Sequence, residues 1–278
     1  MFSMICSMCQ GTIFEKIKSF SSNGFQGIEI KVATKQLSLC DKDIITISKA
    51  KDIKKCLDDY NMQVVSTYKL NGWFELDGDL MGVNDDWNEI FDECKRRIEI
   101  SKILGSKYII TCPALSNRNH HASLFDGSNR YYHLWNFGKS MGVFPVIEFM
   151  GQTKQINTLD KCIQFVELFG NIQETGMKII VDTYHLWRGG GNLFEISKID
   201  CQDIAIIHLA DANPQINRLE HKDIDRPMIG DGFFDLKSFV KKTEKYSGFY
   251  SVGSYSYKDL SCDIVAPLVF KKLKNIFN

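Results

Sequence analysis

Residues 204–211 read Ile204-Ala205-Ile206-Ile207-His208-Leu209-Ala210-Asp211, an apolar run that is interrupted near its end by a histidine. A nearly continuous apolar run is typical of a parallel β-strand that is covered on both faces. Tyr108-Ile109-Ile110 is a second run of this kind. The stretch therefore predicts a sheet buried beneath helices, with a polar side chain where the strand ends.

Similar β-rich runs alternate with segments of helical periodicity along the whole chain. The helical pattern is clearest at residues 87–104, 159–169, 236–246 and 259–277. The predicted strands are residues 3–8, 27–30, 64–70, 107–112, 144–149, 178–182, 204–209 and 249–253. Eight strands with helical crossovers predict an α/β fold, a (β/α)8 barrel that forms a single domain over residues 1–278. The alternative is an open doubly wound sheet, but no G-x-G-x-x-G follows an early strand to support it.

The composition is that of an ordinary globular protein, with 44% apolar and 24% charged residues. Lysine plus arginine equals aspartate plus glutamate at 34 each, so no net field attracts nucleic acid or an anionic membrane. No apolar run approaches the ~20 residues of a membrane helix, and residues 1–10 lack the features of a signal peptide. We therefore expect neither a nucleic-acid nor a membrane partner.

Nine cysteines are scattered along the chain, and only Cys6 and Cys9 are close together. Because no second pair completes a zinc-type set, we expect both thiols to be buried and reduced on the first strand. Many reduced thiols indicate a reducing compartment, so the sequence predicts a cytoplasmic protein.

Three polar side chains follow apolar residues at the ends of consecutive predicted strands. They are Glu148, Asp182 and His208 on the fifth, sixth and seventh strands. In a barrel these strand ends share one face, where active sites lie. Two carboxylates and an imidazole are suitable ligands for Mn²⁺, Co²⁺, Zn²⁺ or a more weakly held Mg²⁺. The alternative is an ordinary salt-bridge cluster at the rim of the barrel.

Several longer segments resemble the sugar phosphate isomerase/epimerase family, which has a xylose-isomerase-like TIM-barrel fold. The resemblance begins near Gly24 and extends to the final helix, and it looks closest to the inosose isomerase branch. The segments that carry it are Gly24-Phe25-Gln26-Gly27-Ile28-Glu29, Ile147-Glu148-Phe149-Met150-Gly151, Asn157-Thr158-Leu159, Val181-Asp182-Thr183-Tyr184-His185, Ile207-His208-Leu209-Ala210-Asp211 and Asp225-Arg226-Pro227-Met228-Ile229-Gly230-Asp231-Gly232.

The resemblance implies a metal-dependent isomerase, epimerase or dehydratase that acts on a small carbonyl sugar or keto-inositol by moving a proton α to the carbonyl, through an enediolate. By that resemblance Glu148, Asp182 and His208 bind the metal, and Glu148 also serves as acid/base. His185 and Arg226 would then contact the substrate, and His185 is also expected to take part in catalysis.

Three of these roles have structural alternatives. His185 could instead orient a metal ligand, and Arg226 could form a rim salt bridge with a nearby aspartate. Trp187, Trp73 and Phe74 follow strand ends and could form an apolar wall for a sugar, or could simply pack.

The eighth strand departs from the family pattern. A glutamate in a Ser-Val-Glu setting would be the fourth metal ligand, but this chain has Tyr250-Ser251-Val252-Gly253 there. A 3-epimerase needs a base on each face of the enediolate, whereas an isomerase or dehydratase can use one. Gly253 therefore favours single-base chemistry, and it leaves open a catalytically impaired barrel that binds a sugar.

Another class in the superfamily is the apurinic endonuclease, which would require extra histidines on the third and fourth strands. This chain has Thr67-Tyr68-Lys69 and Thr111-Cys112-Pro113 there, which makes DNA cleavage the weaker alternative. The expected partner is a small sugar or inositol-like molecule, and self-association into a homo-oligomer is left open.

Overall fold

The structure is a computed structural model that describes residues 1–33, 44–68, 70, 86–113 and 124–278. Its strands are Phe2–Ile5 (β1), Gly27–Lys31 (β2), Gln63–Tyr68 (β3), Tyr108–Thr111 (β4), Phe144–Glu148 (β5), Ile179–Asp182 (β6), Ile204–Leu209 (β7) and Tyr250–Val252 (β8). Each strand pairs in parallel with its neighbours in chain order, and β8 pairs with β1 to close the barrel. The predicted (β/α)8 barrel is thus confirmed.

Helices connect the strands on the outside of the barrel. In the described part of the chain, the α-helices are Ile13–Ser22 (α1), Ile47–Asp59 (α2), Trp87–Ile103 (α3), Leu124–Met141 (α4), Leu159–Glu167 (α5), Ile172–Thr175 (α6), Thr183–Arg188 (α7), Leu236–Lys242 (α8) and Cys262–Phe277 (α9). Short 3₁₀ helices are Cys6–Met8, Leu193–Lys198, Cys201–Asp203, Asp223–Asp225 and Tyr255–Tyr257. None of the helices in these ranges is both long enough and apolar enough to cross a membrane.

The first strand is shorter than the sequence predicts. It ends at Ile5, and Cys6–Met8 form a 3₁₀ turn, so the Cys6/Cys9 pair lies beyond the strand. Both cysteines are buried as expected, and no disulfide forms among the described cysteines. The apolar character of residues 6–8 reflects burial, and burial alone does not distinguish an extended segment from a tight turn.

The inside of the barrel is apolar beneath its carboxyl-terminal mouth. Inward-facing residues of five consecutive strands form this floor, namely Val65, Ile110, Val146, Ile180 and Ile206. Side chains on a strand alternate between its two faces, so the residue two positions further along also points inward. On β5, β6 and β7 that next inward residue is Glu148, Asp182 and His208. The alternation therefore brings all three side chains to the carboxyl-terminal mouth.

Candidate metal centre

Glu148, Asp182 and His208 converge at the mouth of the barrel. Glu148 and Asp182 are the last residues of β5 and β6, and Asp182 is in register with His208 on β7. One ligand atom from each residue lies within 4.8 Å of the others, and all three side chains are buried. The convergence predicted from the three strand ends is therefore present.

The spacing of the three side chains can be compared with the geometry of a divalent ion's ligands. Ligands of one ion at about 2.0–2.2 Å are separated by about 3.4 Å in a tetrahedral site and by about 4.4 Å when they lie opposite each other, so the cluster needs to contract by roughly 0.4–1.4 Å, which side-chain rotation can supply. Two carboxylates and one imidazole are the number and type of ligands found in catalytic sites that keep a position open. The residues present therefore fit a divalent metal.

The His208 ring lies between two carboxylates. Its Nδ1 is 2.7 Å from Oε1 of Glu148, and its Nε2 is 3.2 Å from Oε1 of Glu29 on β2. Burial alone would lower the pKa of His208, but the charges of Glu29 and Glu148, with their hydrogen bonds, raise it well above its usual range. Both ring nitrogens thus face carboxylate oxygens, an arrangement that favours the doubly protonated ring when no ion is present.

Glu29 is the main site residue that sequence reasoning missed. It is completely buried, and the hydroxyls of Ser66 and Ser251 donate to its two carboxylate oxygens. Burial would raise the pKa of Glu29, but the His208 charge and the hydrogen bonds lower it instead. A sequence signal existed, because Glu29 is an acidic residue between two isoleucines, Ile28 and Ile30, of a predicted strand.

Asp182 and Glu148 each have one oxygen engaged away from the proposed metal position. Asp182 Oδ1 accepts the backbone N–H of His185 at 2.9 Å and so caps the N-terminus of α7, whereas Oδ2 lies 3.9 Å from His208 Nδ1. The Cys112 thiol donates to Glu148 Oε2 at 3.6 Å. Each carboxylate can therefore offer a single oxygen to an ion while keeping these contacts.

His185 and Arg226 form a second polar group beside the three ligands. The Gly151 backbone N–H points at His185 Nδ1 at 3.4 Å, and Arg226 Nη2 lies 3.2 Å from Nε2. Burial lowers the pKa of His185 to about 4, so the ring is neutral near pH 7. The structure thus places His185 next to both a proposed ligand, Asp182, and the arginine.

Arg226 is buried and directed towards the cluster. Its Nη1 lies 3.5 Å from Asp182 Oδ2, its Nη2 donates to Asp223 Oδ1 at 2.5 Å, and its guanidinium stacks 3.8 Å from the Tyr184 ring centroid. Burial would lower the pKa of Arg226, but Asp182 and Asp223 raise it. Its Nε has no hydrogen-bond partner among the described residues. The salt bridge that was the structural alternative for Arg226, with Asp223 or Asp225, forms with Asp223, and one donor is left to bind another group.

Trp187 lies further out on the rim. It packs edge-on against His221 and Phe233 and contacts Tyr184, the residue on which Arg226 stacks. Trp73 and Phe74, with which it was expected to form an apolar wall, lie outside the described residues.

Asp211 anchors the loop that carries Arg226. Its two carboxylate oxygens accept the backbone N–H groups of Ala212, Gly230, Gly232 and Phe234, at 2.9 to 3.0 Å. The side chain is 1% exposed. Because both oxygens are occupied, Asp211 acts in this structure as a structural anchor, a role that sequence reasoning did not identify.

Gly253 directly follows β8 and is buried. The alternation that points Ser251 towards Glu29 also points position 253 inward, at the mouth. A Cβ added there would lie 3.1 Å from Ile5 Cδ1, a contact that requires the isoleucine to shift slightly. The two inward positions of this segment are thus a serine and a glycine, and neither supplies a carboxylate.

Comparisons with known proteins agree with this architecture. Residues 17–266 match the sequence profile of the family described as xylose isomerase-like TIM barrel. An inosose isomerase from Halalkalibacterium halodurans is 27% identical over 185 residues, which cover 64% of this chain and 64% of that protein. An inosose isomerase from Bacillus subtilis is 26% identical over 171 residues, covering 60% and 59%. The chain thus spans about three fifths of the length of these curated relatives.

The fold is also similar to that of solved structures. A crystal structure of the IolI protein with a bound zinc atom has a TM-score of 0.80 at 18% identity, and the match covers 99% of this chain and 97% of that one. An L-ribulose 3-epimerase has a TM-score of 0.73 at 13% identity, with coverage of 99% and 93%. At these identities the likeness extends to the fold alone.

Proposed function

The chain belongs to the xylose isomerase-like TIM-barrel family, and on that premise we propose that it is a divalent-metal-dependent isomerase of a small carbonyl sugar or keto-inositol. The observation that carries the proposal is the buried cluster of Glu148, Asp182 and His208, whose ligand atoms lie within 4.8 Å of one another. The curated relatives named as inosose isomerases support this reaction class, and a zinc atom in the solved IolI protein supports a divalent ion as the cofactor.

The roles of the residues follow from their positions. A bound divalent ion would polarise the substrate carbonyl and stabilise the charge of an enediolate. Glu148 is the proposed base that moves the proton α to the carbonyl. Its Oε1 faces His208 and the ion position, which leaves Oε2, 3.6 Å from the Cys112 thiol, to accept the proton at the mouth. Arg226 has a buried Nε–H without a partner among the described residues, and its Nη1 lies 3.5 Å from Asp182, so we assign it to a substrate oxygen.

Single-base chemistry is favoured over 3-epimerisation. Glu148 approaches from β5, and the inward positions at the end of β8 are Ser251 and Gly253, which offer no second carboxylate. An isomerase can return the proton with the base that removed it, whereas a 3-epimerase needs a group on each face. We therefore place 1,2-isomerisation, or dehydration by the same base, ahead of epimerisation.

The same feature favours a second candidate. Gly253 stands where the family pattern has a ligand, so a barrel that binds a sugar without converting it is the alternative function. The two candidates share the metal site and the substrate pocket, and they differ in whether a substrate C–H bond is broken.

Proton exchange distinguishes these candidates. Protein purified with a chelator would be reloaded separately with Mn²⁺, Co²⁺, Zn²⁺ or Mg²⁺ and incubated in D₂O with a keto-inositol or a ketohexose. We expect metal-dependent deuterium incorporation α to the carbonyl, detected by NMR, and its loss in Glu148→Gln. Asp231→Asn is the control, since Asp231 is an exposed carboxylate paired with Lys272. Sugar binding without exchange would support the alternative, a barrel that binds a sugar without converting it. A protein that binds none of the four ions would refute the proposed function.

A further inference from the structure

Glu29 is a third buried carboxylate beside the proposed metal centre, but it approaches from the opposite side of the ligand histidine. It lies on β2, which is separated from β7 around the closed barrel by β1 and β8. Its side chain crosses the interior and reaches Nε2 of His208 at 3.2 and 3.3 Å with its two oxygens. Glu148 and Asp182 lie on the Nδ1 side of the same ring.

The Glu29 carboxylate is held in place by two hydroxyls. Ser251 on β8 donates to Oε1 and Ser66 on β3 donates to Oε2. Both serines are fully buried. Because hydrogen bonds from two strands fix the plane of the carboxylate, Glu29 cannot swing towards the mouth without losing them.

This arrangement determines which nitrogen of His208 can bind a metal. A carboxylate accepts hydrogen bonds, so the nitrogen that faces Glu29 must carry a hydrogen. Nδ1 faces Glu148 at 2.7 Å, so it also carries a hydrogen while no ion is present. An ion held by Glu148 and Asp182 would replace that hydrogen and take the Nδ1 lone pair, because Nε2 keeps its hydrogen for Glu29. A flipped ring would place a carbon-bound hydrogen against Glu29, so the contact selects one orientation as well as one tautomer.

We infer that Glu29 is a positioning residue of the metal centre: it holds His208 through Nε2–H, presents Nδ1 to the ion and increases the basicity of that nitrogen. This inference rests on the proposed function, because it needs an ion at Glu148, Asp182 and His208. Glu29 itself is not a ligand, because its oxygens lie across the imidazole from the other two carboxylates. A carboxylate behind a ligand histidine commonly changes metal affinity by 10–100-fold.

The chain contains a matched control for a role in simple core stability. Glu93 on α3 is also completely buried, and it pairs with Arg96 and Arg97 on the same helix. Both Glu29→Gln and Glu93→Gln remove one buried negative charge while keeping the size of the side chain. Loss of stability is expected in both variants, whereas loss of metal affinity is expected only in Glu29→Gln.

The test measures the affinity of the whole chain for Zn²⁺ and Co²⁺ by competition with a chromophoric chelator, with thermal unfolding of each variant recorded alongside. We expect a 10–100-fold weaker Kd for Glu29→Gln, an altered visible spectrum of its Co²⁺ form, and unchanged affinity and spectrum for Glu93→Gln. Should Glu29→Gln fail to fold, Ser251→Ala removes one of the hydroxyls that fix the carboxylate and should weaken binding by a smaller factor.

The outcomes distinguish a failure of the proposed function from a failure of the role assigned to Glu29. If the wild type binds neither ion, the proposed function fails and the inference fails with it. If the wild type binds metal but Glu29→Gln matches it in affinity and spectrum, the inference alone is overturned. Equal weakening in Glu29→Gln and Glu93→Gln would assign Glu29 a purely structural role and would likewise refute it.

Discussion

Replacing Asp211 by asparagine is expected to destabilise the barrel more than its small chemical change suggests. Asp211 is 1% exposed, and its two oxygens accept four backbone N–H groups, three of them from residues 230–234. Asparagine has the same shape but presents one oxygen and one NH₂ group. In either orientation of the amide, two of the four N–H donors lose their acceptor and face another donor.

The magnitude follows from that count. A hydrogen bond to a charged group contributes about 1.5–3 kcal/mol, and a buried donor left without a partner costs about 1–3 kcal/mol. Two such losses give at least ~3 kcal/mol for Asp211→Asn. For a chain of this size, that corresponds to a fall in Tm of roughly 6–12 °C.

The assay is urea and thermal unfolding of the metal-free protein, with Asp231→Asn as the control. Asp231 lies in the same loop, but its side chain is half exposed and paired only with Lys272 among the described contacts, so its loss should cost under about 0.5 kcal/mol. Gly232→Ala should resemble Asp211→Asn, because its Cβ would lie 2.1 Å from Asp211 Oδ1. Equal stability of the Asp211 and Asp231 variants would show that the four hydrogen bonds do not anchor the loop.

Three further predictions concern the mouth. Gly253→Glu, combined with Ile5→Val to relieve the 3.1 Å contact, should tighten Zn²⁺ binding about tenfold in a chelator titration; unchanged affinity would show that position 253 does not face the ion. In the metal-free protein, the raised pKa of His208 makes its contribution to stability complete below about pH 6.5 and lost as the pH rises through that raised pKa. Tm measured in a chelator should therefore fall above pH 6.5, and should fall less in His208→Gln; a flat wild-type profile would contradict this. Arg226→Lys should raise KM for the converted sugar at least tenfold with the metal Kd unchanged, since lysine cannot both stack on Tyr184 and supply forked donors; an unchanged KM would place Arg226 outside the substrate site.

The parts of the structure that could be predicted are those with a strong local signal. The buried runs of β4 to β7 identify a parallel sheet, and an ionisable residue directly after such a run must find a partner. Glu148, Asp182 and His208 satisfy both conditions, so their convergence could be predicted. The Cys6–Met8 turn could not, because its residues are as apolar as those of the strand before it.

Contacts that depend on how strands are placed around the barrel were not predictable. Glu29 gave a local sign of a special environment, but its partner is 179 positions away in the sequence. Ser66 and Ser251 gave no sign, because a buried serine in a strand is chemically unremarkable until the carboxylate beside it is known. The anchoring role of Asp211 likewise depends on backbone N–H groups about 20 residues further along the chain.

The imidazole between Glu29 and Glu148 has a consequence for how the protein matures. Small zinc domains unfold when stripped of metal, because metal binding supplies most of their folding free energy. In this barrel a ring at 2.7 and 3.2 Å from two carboxylates supplies its own positive charge. On the proposed function, a newly synthesised chain would therefore complete its fold without an ion, and loading would exchange a proton for the ion in a finished scaffold. The metal that the protein carries would then depend on which ions are available to the folded chain, and folding itself would not select it.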